Sequence, residues 1–323
     1  MFLRNYLSLA LILSITLISC KEEKTIDEKE LQNRNGIFYE VNSSQPFTGK
    51  AVTYYNADLD YVKVKQIQTE MSVKDGLIDG STKSYYQNGQ LKEDVKFEKG
   101  VPHGKYKWYY EDGQLWNEGE TNNGKKVGVH KSYYNNGQVQ DEVMYTDGKL
   151  NGISKSYYEN GVLKSEDMYK NDKMEGVSRV YYKNGKVETE KSFKNNAHDG
   201  VYKDYYEENG QLKQEFTFVQ DILNGAFKTY YENGQLSSEG KYKDSEKDGL
   251  VKSYYENGKL KSEEIFKNGK LDGVCKTYYE SGKLEREETF KDNYPNGKFK
   301  SYFENGQVKE EGYQNNDDYE PRY

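Results

Sequence analysis

"KSYYENGVLKSE", Lys155 to Glu166, returns almost letter for letter as "KSYYENGKLKSE" from Lys252 to Glu263. In a chain of 323 residues such self-similarity overrules any domain count drawn from length, because the repeat period sets the architecture. Aligned on its aromatic pairs, the chain places the first tyrosine at Tyr85, Tyr109, Tyr133, Tyr157, Tyr181, Tyr205, Tyr230, Tyr254, Tyr278 and Tyr302. The spacing is 24 residues, with one step of 25. A degenerate unit begins at Tyr54, and a glycine stands five residues before each of these tyrosines, from Gly49 to Gly297.

Two residues after each pair comes Asn-Gly in eight of the ten regular units, replaced by Asp112-Gly113 in one and Ser281-Gly282 in another. Asn-Gly between β-forming residues signals a hairpin, since a two-residue type I′ turn needs positive φ at both central positions. Each unit is therefore expected to be one antiparallel hairpin. In the quoted segment, Glu159 would oppose Val162, Tyr158 would oppose Leu163, Tyr157 would oppose Lys164 and Lys155 would oppose Glu166. The last pair tests the register, as does Lys252 with Glu263. The position two before the tyrosine is Lys in nine units and Arg179 in the tenth, and its expected opposite is Glu in nine units and Asp94 in the other. Exposed pairs of this kind contribute a few tenths to about 1 kcal/mol each, and they disfavour slipped registers. In the one longer step, "YYEENG" at Tyr205 to Gly210, the extra glutamate is expected to sit in a three-residue loop with Gly210 left-handed, which leaves Lys203 opposite Glu215.

Side chains alternate across a strand, so the two tyrosines of a pair are expected on opposite faces. A packed face would gather Tyr158, Leu163, Ser156 and an aromatic twelve residues after the first tyrosine, such as Tyr169, Phe193, Phe266 or Phe290. The other face would gather Tyr157, the Lys–Glu pair and Val129, Ile153, Val177 or Val274, giving a wet stripe of rings and charges. Links such as "KNGKLDG" and "TDGKLNG" are short enough to lay successive hairpins side by side. The expected fold is all-β, an elongated single-layer antiparallel meander of tandem 24-residue hairpins. With strands ~4.8 Å apart, ten units span roughly 95 Å. The alternative is a parallel β-helix, which would not require charges paired symmetrically about Asn-Gly.

Composition agrees with a thin, ordered structure. Mean hydropathy is -1.11 and 34% of residues are apolar, yet 33 tyrosines recur in register, which disordered tracts do not need. The formal charge of -7 argues against nucleic acid or strongly anionic lipid as the main partner. The start, "MFLRNYLSLALILSITLISC", has one basic residue and a short apolar stretch ending at Cys20. It resembles a bacterial lipobox, which implies acylation of Cys20 and a membrane-anchored, otherwise soluble protein. The following Lys21-Glu22-Glu23 resembles a signal that sends lipoproteins to the outer face of the outer membrane. Once Cys20 is acylated, Cys275 has no partner for an internal disulfide and reads as a half-buried thiol in a strand. The expected organisation is a lipoprotein signal peptide at 1–19, a polar tether at 20–35, a degenerate repeat at 36–80, tandem repeats at 81–313 and a polar tail at 314–323.

With "YYENGxLKSE", the preceding glycine and the "KNGKLDG" links in view, the chain resembles the MORN-repeat family. In particular it resembles the bacterial variant found in YwqK-family antitoxins of toxin-antitoxin systems. The opening "GIFYEVNSSQPFTGKAVTYY", Gly36 to Tyr55, is similar to the start of such proteins. The resemblance covers about residues 36 to 313. It implies antiparallel hairpins in an elongated sheet, with scaffolding, protein-binding or lipid-associated roles and no catalysis by the repeats. An exported antitoxin would make sense as an immunity protein that neutralises a toxin at the envelope.

Residues that break the repeat are the natural candidates for chemistry. His103, His130 and His198 are dispersed and match neither metal-ligand spacing nor a nucleophile relay. The carboxylates are regular partners of lysines, which keeps them ionised. Links such as "KDNYPNG" and "KDSEKDG" lack a calcium-loop pattern. No enzyme, metal or cofactor is expected. Three readings remain. The ribbon binds a protein, in one version a toxin; its aromatic stripe binds a surface glycan; or it is a structural spacer. The binding candidates are Tyr109, Tyr133, Tyr157, Tyr181, Tyr254 and Tyr278 on the charged face, and Trp116, expected opposite in facing to Trp108 and placed where lysine is common. Self-association through an uncovered apolar face is a further expectation.

Overall fold

The computed structural model describes residues 23–55 and 65–315. Cys20, the leader and the last eight residues lie outside the described residues. The described chain is one open sheet of 26 strands, with a separate two-stranded ribbon of Leu31–Arg34 and Ile37–Glu40. Every pairing in the sheet is antiparallel except one: Thr25–Asp27 runs parallel to Gly49–Tyr54 at one edge. Successive strands in the chain are neighbours in the sheet, so the meander holds and the parallel β-helix does not. The sheet stays open and does not close into a barrel.

Within the quoted hairpin, Lys149–Tyr157 pairs with Leu163–Lys170, and Lys155 lies opposite Glu166 as expected. Nearer the turn the register departs from expectation. Tyr157 faces Leu163, not Lys164, because a β-bulge intervenes between Ser156 and Tyr157. The turn is correspondingly longer than expected. The Gly161 N–H donates to the Tyr158 carbonyl at 2.8 Å, and the Tyr158 N–H donates to the Val162 carbonyl at 2.8 Å. Only Gly161 has positive φ, at 82°. This is a three-residue loop with glycine in the left-handed position, the combination in which a bulge accompanies the turn. The 25-residue step adds one residue to this loop. Gly210 donates to the Tyr206 carbonyl and is left-handed at φ 74°, so the loop has four residues where three were expected, and Lys203 still faces Glu215.

The type I′ geometry belongs instead to the links. Asp147 and Gly148 have φ of 52° and 83°, and Thr146 pairs directly with Lys149. Asn171-Asp172 and Asn195-Asn196 repeat the pattern, again with both residues at positive φ. Asn and Asp tolerate this region better than other non-glycine residues. Each link is thus a tight hairpin of its own, and the ribbon zigzags between two different turn types along its two long edges.

The main apolar cluster sits at the first edge, where Ile26, Phe47, Ala51, Met71 and Val73 are buried together with Leu31, Phe38 and Ile78 against them. Two of these, Ile26 and Leu31, come from residues 20–35, expected to be a polar tether. The correction has a physical reason. An uncovered sheet edge leaves a row of backbone groups unpaired, and Thr25–Asp27 occupies that edge while its single isoleucine is buried. One or two apolar residues among many charges are too few to reveal a strand from composition.

Candidate functional site

On the charged face, each Lys–Glu pair belongs to something longer. Glu142 faces Lys131 within its hairpin, with Nζ and Oε1 2.6 Å apart, and it faces Lys155 of the next hairpin. Lys155 then faces Glu166, Glu166 faces Arg179, and Arg179 faces Glu190. Along the long strands the alternation runs from Glu70 through to Glu311, with one ladder residue on each. The Lys155–Glu166 and Lys252–Glu263 ion pairs are each 3.4 Å long.

The first tyrosines lock into this ladder. Their hydroxyls donate to the glutamate of the preceding hairpin: Tyr133 to Glu118 at 2.7 Å, Tyr157 to Glu142 at 3.3 Å, Tyr254 to Glu239 at 2.8 Å and Tyr278 to Glu263 at 3.0 Å. Burial, aided by the adjacent glutamates, pushes the phenols of Tyr133, Tyr254 and Tyr278 up to about 12. A hydrogen bond to Lys131 holds the Glu142 carboxyl below the usual range, and one to Arg179 does the same for Glu190. Tyr109 and Tyr181 occupy the same row, half-buried, with their carbonyls accepting from Tyr86 and Tyr158. Beside the row, Val129, Ile153, Val177 and Val274 are exposed.

The second tyrosines have a role that was not expected from sequence. The Tyr158 hydroxyl donates to the carbonyl of Tyr181, the first tyrosine of the next unit, at 2.8 Å. Tyr134 does the same to Tyr157 and Tyr255 to Tyr278. The last described hairpin carries Phe303 at this position, and no described hairpin follows it. The turn asparagines add a second clamp. Asn136 Oδ1 accepts from the Gln138 N–H while its Nδ2 donates to the Glu159 carbonyl of the next turn, each at 2.9 Å. Asparagine is useful here for its paired acceptor and donor, not for positive φ.

The packed face is crowded where Tyr106, His130, Phe227, Val251 and Cys275 are buried. Three of its large rings lie opposite glycines: Tyr106 opposite Gly119, Phe227 opposite Gly240 and Phe299 opposite Gly312. A Cβ on Gly240 would stand 2.8 Å from both Phe227 and Val251. These glycines have ordinary φ, so the absent side chain provides room for a ring. On the opposite, charged face, shallow grooves open over the same three places, the largest of ≈ 600 Å³ near Gly312 between Val274, Lys300 and Tyr313.

Trp116 is where the structure overturns the expected facing. Its ring centroid lies 5.7 Å from that of Trp108 and 6.2 Å from that of Tyr110, so the two tryptophans do not point to opposite faces. The bulge is the cause: it falls between Trp108 and Tyr109, and Trp116 is the extra residue, so alternation is interrupted there. Lysines at the equivalent place behave likewise. Lys164 stands over the Tyr158 ring at 5.9 Å and Lys261 over Tyr255 at 5.7 Å. From Trp116 a row of rings continues through Trp108, Tyr106 and His130 to Tyr145. Trp116 itself is 44% exposed.

A family model described as "MORN repeat variant" matches ten segments of the chain: residues 78–99, 102–123, 126–147, 150–171, 174–195, 199–220, 223–244, 247–268, 271–292 and 295–316. No curated protein matches the sequence. Among solved structures, "Crystal Structure of TcdB2-TccC3" is similar at 11% identity, covering 82% of this chain and 19% of that one with a TM-score of 0.19. "Crystal Structure of TcdB2-TccC3-TEV" is similar at 11% identity, covering 84% and 16% with a TM-score of 0.16. The chain spans less than a fifth of the length of either.

Proposed function

Because the chain belongs to the MORN repeat variant family, we propose that it is a non-catalytic repeat scaffold that binds a protein partner at the cell envelope. The observation that supports this reading best is the unbroken alternation of charge from strand to strand. Ladder side chains held from both sides, as Glu166 is by Lys155 and Arg179, lose little further freedom when a partner docks, which lowers the entropic penalty of association. Exposed Val129, Ile153, Val177 and Val274 run beside that ladder, and apolar groups next to ordered polar ones suit a protein interface.

In this reading Cys20 carries the lipid anchor and residues 1–19 are the leader, with the ribbon projecting from the membrane. The partner is a toxin, and the scaffold acts as an antitoxin of the immunity type. Crosslinking of the tagged full-length chain in cells, with mass spectrometry of what is attached, tests the reading. A stoichiometric protein partner supports it, and a secreted toxin as that partner supports the immunity role. Recovery of the chain alone, or of carbohydrate, overturns it in favour of a spacer or a glycan-binding protein.

A further inference from the structure

In five hairpins the repeat supplies its own cation to the second aromatic ring. Lys92 lies 5.7 Å from the Tyr86 ring centroid, Lys164 5.9 Å from Tyr158, Lys213 5.8 Å from Tyr206, Lys261 5.7 Å from Tyr255 and Lys309 5.9 Å from Phe303. A cation over an aromatic face is attracted by the ring quadrupole, the more so when partly desolvated. In the hairpin of Tyr109 and Tyr110 that lysine is replaced by Trp116, so the cation is lost and a second, exposed ring is gained. Among the described residues no lysine or arginine stands over Tyr110 or Trp116.

The turn that follows Tyr110 is acidic. It is Glu111-Asp112, the one regular turn with two acids before its glycine that has no asparagine. Glu93 lies directly opposite Trp108 on the packed face and has no ion-pair partner among the described residues. Below the rings, the Trp108 Nε1–H donor and the Asn117 Oδ1 acceptor are buried without hydrogen-bond partners, on residues that face each other across two strands.

We propose that the Trp116–Tyr110 shelf, with Glu93, Glu111 and Asp112 around it, is a docking site for an arginine or lysine side chain of a basic segment in a protein partner. The proposal rests on the protein-binding reading above and specifies the chemistry of that partner. It takes the place of a contact that five other hairpins make internally. Trp116→Lys restores the residue that five other hairpins carry, so the variant keeps the fold while filling the site from within.

Trp108 and Trp116 are the only tryptophans, so tryptophan fluorescence, excited selectively over the 33 tyrosines, reports on this site. The full chain would be titrated with a short capped Gly-Arg repeat peptide, with its citrulline counterpart, which keeps the shape and lacks the charge, and with a neutral glucan hexasaccharide. Saturable quenching by the arginine peptide, ~10-fold weaker with citrulline and ~10-fold weaker for Trp116→Lys, supports the site. No response to arginine, an equal response to citrulline, or a response to the hexasaccharide alone overturns it. In-cell crosslinking of Trp116→Lys separates the two readings. A partner captured as well as by the wild type leaves the protein-binding scaffold standing and removes this site from it. Arginine-peptide binding with no captured partner leaves the site standing and removes the envelope-partner reading.

Discussion

Glu142 and Lys155 lie directly opposite each other although they belong to different hairpins. The relationship changes what a charge swap should do. Lys155→Glu places three acids in succession, with Glu142 on one side and Glu166 on the other, and is expected to lower stability by ~1 kcal/mol or more. In an isolated pair, adding Glu166→Lys would restore the interaction. Here the double variant sets acid against Glu142 and base against Arg179, so the contact regained between 155 and 166 is offset by the one lost between 166 and 179, and its stability is expected to stay close to that of Lys155→Glu. Denaturant midpoints of the two single variants and the double variant check this; full recovery would mean that the contacts between hairpins carry no energy.

The hydroxyl of Tyr158 should matter more than that of a tyrosine introduced at position 303. Tyr158→Phe removes a donor to the Tyr181 carbonyl and is expected to lower stability by about 1 kcal/mol. Phe303→Tyr adds a hydroxyl with no following hairpin among the described residues to receive it, and the melting temperature should stay unchanged. Equal effects at both positions would remove the clamp as a source of cohesion between units.

Gly240→Ala is expected to destabilise by ~1–3 kcal/mol, because its Cβ would press on Phe227 and Val251 at 2.8 Å. Combining it with Phe227→Ala should lose less than the sum of the two single changes, since removing the ring removes the clash. Strict additivity of the two losses in chemical denaturation would rule out the ring-over-glycine relationship.

His130 makes stability depend on pH. Its Nε2–H donates to the Glu120 carbonyl at 3.0 Å, and its Nδ1 lies 2.6 Å from the Tyr106 hydroxyl, from which it accepts when the ring is neutral. Burial, assisted by Lys126, holds its pKa below the ordinary 6.5. The folded state therefore binds this proton less readily than the unfolded chain. The contribution is complete above pH 6.5 and is lost as pH falls through the lowered folded value. Thermal melts between pH 7.5 and pH 5 should show a fall for the wild type that is reduced in His130→Phe. Parallel curves would exclude His130 as the cause.

Much of the architecture is legible in twelve residues. Asn-Gly flanked by β-formers specifies a hairpin, and Lys155 with Glu166 specifies the register of its body, because both depend on contacts between residues close in sequence. The exposed row of Val129, Ile153 and Val177 likewise follows from simple alternation. Repetition at a 24-residue period then implies a single ribbon without further information.

The facing of Trp116 was not legible, because period-two alternation fails wherever a strand carries one extra residue, and the bulge beside Tyr109 leaves no mark in the hydrophobic pattern. The acceptor for the Tyr158 hydroxyl lies 23 residues away, so it depends on how one hairpin is offset against the next. The same offset turns separate ion pairs into one ladder running from Glu70 to Glu311. Sequence by itself determined the repeating unit and the pairing in the body of each hairpin, since charge pairs and alternation there act locally. Tertiary structure decided how units are clamped together, which ring stands exposed and how Ile26 comes to cover the first edge, since each of these depends on the stacking of strands distant in the chain.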